Sequence, residues 1–188
     1  MIEPYRVGPL DEISVQVFGR PDLGSQGEST YGSRSSMVGD GGSIHLPFIG
    51  KLHVAGLTRH EIALLVNERY ARIVQNAQVD VQIARCGSKP VDLVGAFLAP
   101  GRYYVCENLR TVGAVLGAAK GLTVEANPTR GTLTRGGITY HLDPVDRRDG
   151  EPSRLDAVLR AGDVIHFPVV GERTVYVFGQ VTTPGPYS

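Results

Sequence analysis

Five histidines, a run of carboxylates, two cysteines and an Arg-Tyr-Tyr triplet are the residues of this chain with the most capacity for chemistry. A histidine that binds a metal or moves a proton needs partners at ligand or hydrogen-bond spacing. His45, His53, His60, His141 and His166 are spread along the chain without a close pair. His45 and His166 stand in matching contexts, before Leu46-Pro47 and Phe167-Pro168, and read as strand-surface residues. Asp143, Asp146, Asp149 and Glu151 would suit the paired carboxylates of sugar hydrolysis, but Arg147, Arg148 and Gly150 lie among them and the stretch reads as a solvated loop. Cys86 and Cys106 allow one bridge in an oxidising compartment if their Cα atoms come within about 7 Å. Two buried free thiols are the other reading, and the spacing fits no zinc pattern. Arg102, Tyr103 and Tyr104 have the amphipathic rings and charge to contact a polysaccharide or a neighbouring subunit; equally, two successive tyrosines simply pack on opposite faces of a strand. Gly39, Gly41 and Gly42 precede a strand pattern, and Gly117 to Gly121 closes a helix, so neither is a phosphate loop. The expectation is no catalytic, cofactor-binding or metal residues, no cofactor and no enzyme.

The elements that would position these groups are short. The 188 residues include 24 Gly and 12 Pro against 8 Tyr and 5 Phe, which favours turn-rich β structure with a few helices. Nineteen basic and 19 acidic side chains cancel, and no basic stripe with interleaved aromatics is present, so nucleic acid is not an expected partner. No run approaches the roughly 18 to 20 apolar residues of a membrane helix. The first residues lack the basic and apolar regions of a signal peptide, so any targeting segment is expected upstream.

Ile13-Ser14-Val15-Gln16-Val17 alternates as a strand with one buried face. Residues 24–42, rich in Gly and Ser, read as a long surface loop. Ile44–Pro47 and Ile49–Val54 read as paired short strands, Pro47 at a strand end because it cannot donate to a ladder. Thr58 with Glu61 makes a capping box, and Leu57 with Ile62 a hydrophobic staple, so a helix starts at Arg59 and buries Ile62, Leu65, Val66, Tyr70 and Ile73. Val79, Val81 and Ile83 form the next strand, and the first module closes near Cys86. Val91 opens a strand that turns at Ala99–Arg102. Thr111 then caps a helix using Val112, Val115, Leu116 and Ala119, with Gly121 as its C′ residue. Gly136-Gly137 reads as a two-residue hairpin turn between strands at 133–135 and 138–140, and 163–168 as a further strand.

The sequence also repeats. Val91, Gly95, Pro100, Gly101 and Tyr103 recur as Val175, Gly179, Pro184, Gly185 and Tyr187, a constant offset of 84 residues. The shared pattern is an apolar strand, a Gly where no Cβ is tolerated, and Pro-Gly to reverse the chain. It signals a tandem domain whose second copy begins near Val175 and is cut short at Ser188.

These residues resemble the outer-membrane polysaccharide export family. The resemblance rests on Tyr5 to Val15, Asp40-Gly41 through Ile44, Leu46-Pro47, Ile49-Gly50 and Ala55-Gly56-Leu57-Thr58 with Glu61, then on a β-grasp (SLBB, soluble-ligand-binding) pattern from Val91 through Gly162-Asp163-Val164-Ile165 to Pro168. Two positions depart from it: Leu10 where the family has Gly before Asp11, and Lys120-Gly121 where a double Gly follows the helix. The implied fold is α+β: a polysaccharide export signature domain over 1–86, an SLBB β-grasp domain over 87–174, and the first strand and turn of a second SLBB repeat over 175–188. The implied function is the periplasmic part of an outer-membrane capsule or exopolysaccharide export channel. It would be a ring homo-oligomer that conducts polymer and docks on an inner-membrane polysaccharide copolymerase, with lipid-anchor and membrane-spanning segments outside these residues. The alternative is a periplasmic β-grasp module that binds a small soluble ligand.

Overall fold

The computed structural model describes residues 3–28, 34–75, 77–142 and 154–171, together with the backbone of 175–177 and 185–187. The fold is α+β, with mixed sheets and two helices. The first sheet joins β1 (Glu12–Val17), β2 (Gly27–Glu28), β3 (Arg34–Met37) and, after the elements below, β6 (Val79–Arg85), in the order β2-β3-β1-β6 with every pairing antiparallel. Ile13, Val15 and Val17 face the core as the alternation predicts, but Glu12 and Ser14 are buried too, because β1 is interior to the sheet. The stretch read as a loop contains β2 and β3. Arg34–Met37 lacks apolar alternation; it pairs with β1 and β2 through its backbone, and its serines bond outside the strand, Ser35 donating to Glu12 and Ser36 to Ser25. Residues 29–33 of that stretch, and the acidic run around Asp146, lie outside the described residues.

β4 (Ser43–Leu46) and β5 (Gly50–His53) form the expected hairpin, with Pro47 just past the end of β4. α1 (Arg59–Tyr70) starts where Thr58 and Glu61 place it: Glu61 N–H donates to Thr58 Oγ1 and Thr58 N–H to Glu61 Oε2 at 2.7 Å. Its buried face is Ile62, Val66 and Tyr70, laid over β6. Ile73, expected on that face, is exposed because the helix ends at Tyr70. The Tyr70 hydroxyl reaches the carbonyls of Leu23 and Pro47, pinning the helix end to two turns, and burial pushes its pKa up to about 12.

The second sheet is built from β7 (Pro90–Gly95), β8 (Gly101–Tyr104), β9 (Gly131–Arg135), β10 (Ile138–Leu142) and β11 (Val164–Phe167), ordered β10-β9-β11-β7-β8. Only β11 and β7 are parallel. α2 (Val112–Ala118), capped by Thr111, lays Val112 and Val115 on one face of this sheet, which forms a second cluster with Val91, Leu93, Leu133, Ile165 and Phe167. The β9–β10 turn is Gly136-Gly137, both at positive φ. Gly95, the glycine of the repeat, has φ +97°, and a Cβ there would strike the Phe167 carbonyl oxygen. The repeat itself appears as a second hairpin, β12 (Val175–Val177) with β13 (Gly185–Tyr187), in the register of β7 with β8: Val175 faces Tyr187 as Val91 faces Tyr103, and Val177 faces Gly185 as Leu93 faces Gly101.

The two hydrophobic clusters share no buried residue. The first runs from Tyr5 to Cys86 and the second from Val91 to Phe167. Among the described residues no helix is long and apolar enough to cross a membrane.

Candidate functional site

Between the two clusters the chain passes through Gly87-Ser88-Lys89, and there the structure gathers its densest set of polar contacts around Asp11. This carboxylate is fully buried. Its Oδ1 accepts from the backbone N–H groups of Gly87 at 2.8 Å and Ser88 at 2.9 Å. Its Oδ2 accepts from Gly8 N–H at 2.8 Å, the Tyr5 hydroxyl at 2.8 Å and the Ser88 hydroxyl at 3.0 Å. Such charge-assisted bonds are worth about 1.5–3 kcal/mol each, and here they span 76 and 77 residues of sequence. The approach is close enough that a Cβ on Gly87 would collide with the Leu10 carbonyl oxygen.

Tyr5 completes the clamp. Burial pushes its hydroxyl well above the ordinary tyrosine range, with the Asp11 charge adding to the effect, so it stays a neutral donor. Lys89 Nζ sits 4.2 Å from the Tyr5 ring centroid and donates to the Arg6 carbonyl at 2.9 Å. Burial lowers the pKa of this ammonium, against an opposing pull from Asp11. One residue upstream of Gly87, Cys86 is bonded to Cys106 across a Cα–Cα distance of 5.7 Å. Of the two readings of the cysteines, the bridge is the one observed. Cys106 thereby packs against the first cluster although it follows β8. Arg59 and Glu107 add an exposed ion pair at 3.5 Å, a minor contribution in water.

This arrangement fixes a joint. A carboxylate with five donors and no exposure has neither a free lone pair nor a path to a substrate, so it is poorly suited to proton transfer. Among the described residues no group of three or more His, Cys, Asp or Glu could hold a metal. Asp11 was visible as part of a sequence motif, but its role was not: Gly8 three residues before it is a local turn signal, while Gly87 and Ser88 are beyond any local pattern.

The triplet Arg102, Tyr103 and Tyr104 divides between the faces of β8. The Arg102 guanidinium forks the Asp92 carboxylate at 2.8 and 3.0 Å, and holds that carboxyl below its usual range. Tyr104 shares the outer face and is exposed. Tyr103 turns to the second cluster and donates to the Ala99 carbonyl at 2.8 Å. A shallow recess beside Arg102 is lined by Asp92, Val94, Gly101 and Val164. All five histidines are exposed, His45, His53, His141 and His166 on strands and His60 on α1.

Residues 2–84 match the family model described as polysaccharide biosynthesis/export protein. Over 96% of its length the chain is 30% identical to an EPS I polysaccharide export outer membrane protein of Ralstonia nicotianae and 28% identical to its namesake in Ralstonia solanacearum. Residues 2–84 belong to the polysaccharide export family. The chain spans about half the length of these relatives, 51% and 52%. Similarity also extends to an exopolysaccharide production protein of Rhizobium meliloti, 29% identical over 60% of the chain and 27% of that protein. The two departures from the motif carry backbone strain. Leu10 has φ +72° and Lys120 φ +63°, the left-handed conformation that glycine adopts freely. Lys120, not Gly121, is therefore the first left-handed residue after α2, and Gly121 follows at φ +90°.

Proposed function

We propose that this chain is the periplasmic part of an outer-membrane channel that exports an exopolysaccharide or capsule polymer. In this reading it has no catalytic role, self-assembles into a ring, and meets an inner-membrane copolymerase below. The observation that carries the reading is the coincidence of the family match with the Asp11 clamp: Tyr5, Gly8 and Asp11 belong to the matched residues, and they grip the segment that leads into the β-grasp sheet. The names of the Ralstonia relatives support an export role at the outer membrane. The disulfide supports an oxidising compartment. The modules are proposed to divide as an export-signature domain over 1–86, a β-grasp domain over 87–174, and the start of a second repeat from 175. A ring needs stable subunit contacts of more than about 1,000 Å². Native mass spectrometry of the full-length protein extracted from outer membranes is expected to show a single closed oligomer. A monomer across detergents, together with unimpaired polymer secretion in a deletion strain, overturns the proposal.

A further inference from the structure

We infer that the two edges of the five-stranded sheet, which carry no further strand among the described residues, join successive copies of the chain, β8 of one copy pairing antiparallel with β10 of the next. The inference rests on the self-assembly proposed above and names the contact that would carry it.

Three independent conditions for such a joint are met. The first is strand sense. β8 runs opposite to β7, β7 is parallel to β11, and β9 and then β10 each reverse in turn, so β8 and β10 run in opposite directions. Copies related by rotation about an axis along the strands keep their sense, and β8 then meets an antiparallel β10.

The second is the direction of the backbone groups. Val105 N–H donates to the Lys89 carbonyl, which continues the β7–β8 ladder. Alternation along that ladder turns the N–H and C=O of Arg102 and Tyr104 outward. On β10 the two-residue turn at Gly136-Gly137 leaves Thr139 and His141 as the outward residues, and Arg154 donates from outside to the His141 carbonyl. Outward residues on both edges carry their side chains on the same outer face, through the register Arg102, Asp92, Val164, Thr134, Thr139. An arbitrary pair of edges fails this match half the time.

The third is the side chains. Ile138 and Tyr140 lie on the same sheet face as Leu133 and Leu142, yet are 61% and 48% exposed. Setting Tyr104 opposite the neighbour's Thr139 places Tyr103 beside that Tyr140 and Val105 beside that Ile138, continuing the apolar layer under both sheets. Two of the usual guards, Lys and Pro, are missing from both edge strands. Gly101–Tyr104 and Ile138–Leu142 contain no Lys and no Pro, and Arg102 is neutralised by Asp92.

The experiment uses the full-length protein with Tyr104→Cys and Thr139→Cys combined. Residues facing each other in a hydrogen-bonded antiparallel pair lie about 5.5 Å apart at Cα, within disulfide reach. The double variant is expected to give a ladder of covalent multimers on non-reducing gels, and each single variant none beyond wild type. Tyr104→Pro, which removes the outward N–H together with the ring, is expected to raise the protein concentration needed for assembly at least tenfold, while Tyr104→Ala, which removes the ring alone, assembles more tightly than the Pro variant at the same melting temperature. A wild-type oligomer with no ladder from the double variant, or cross-linking by Tyr104→Cys alone, overturns the edge pairing and leaves self-assembly standing. A monomeric wild type overturns both.

Discussion

Replacing Asp11 by Asn changes one buried atom and tests whether the joint depends on that carboxylate. The oxygen that remains can serve Gly87 and Ser88, whose N–H groups share Oδ1. The new amide group then faces Gly8 N–H, which donates at 2.8 Å and cannot be accepted by another donor. The Tyr5 and Ser88 hydroxyls can rotate to accept, so they are not lost. One unsatisfied buried donor costs about 1–3 kcal/mol, and loss of charge weakens each of two retained bonds by about 1 kcal/mol. The expected loss is about 3–5 kcal/mol, which for a chain of this size lowers Tm by about 6–20 °C. Chemical denaturation measures the first figure and calorimetry the second. Amide exchange adds a local readout, since Gly87 and Ser88 should lose protection before the strands of either sheet do. A variant within about 0.5 kcal/mol of wild type, with those two amides still protected, would refute the reasoning.

Three further outcomes are expected. Leu10→Gly and Lys120→Gly should each stabilise the protein by about 0.5–1 kcal/mol, because left-handed backbone costs an L-residue about 1–2 kcal/mol and the entropy cost of glycine returns only part of it; a destabilising change in denaturation midpoint at both sites contradicts this. Cys86→Ser with Cys106→Ser removes a bridge across 20 residues and should cost about 3 kcal/mol by loop entropy, read as a lower denaturant midpoint that reductant reproduces in wild type and does not change in the variant. The Thr58 backbone N–H, more than any other partner, holds the Glu61 carboxyl below its usual range. A depressed carboxyl stabilises the fold above its unfolded pKa of about 4.3 and loses that contribution as pH falls through the lower folded value. The stability difference between wild type and Glu61→Gln should therefore be full above about pH 5 and shrink on acidification; a difference constant from pH 6 to pH 2 rules the capping carboxylate out as its source.

What could be read from sequence is what is encoded locally. Thr58 and Glu61 mark the first turn of α1 because both capping bonds close within three residues. Gly136-Gly137 marks the second-sheet hairpin because few residues tolerate positive φ twice in succession. Gly95 marks a strand crossing, since the repeat kept a residue without a Cβ where Phe167 backbone approaches. The parts that escaped depend on distant partners. β3 is a strand of serines whose bonding partners, Glu12 and Ser25, lie outside it. Asp11 has its other partners, Gly87 and Ser88, beyond the last strand of the first sheet. The left-handed Lys120 follows a helix that stops a residue earlier than its small-residue tail suggests, and Ile73 falls beyond a helix that Tyr70 terminates by bonding to turns. Of the proposed contact residues, Arg102 and Tyr104 share a face and Tyr103 does not, the alternation of any strand.

The sulfur bridge also decides how the molecule answers to stretching. Tension applied between the amino-terminal portion and anything beyond residue 106 runs from Cys86 directly to Cys106, so the intervening span, which contains β7 and β8, stays slack. A hairpin that the tension would reach in a reduced molecule is thus shielded from the pull. Extension by the length of that enclosed span should be missing from single-molecule traces until a reductant is added.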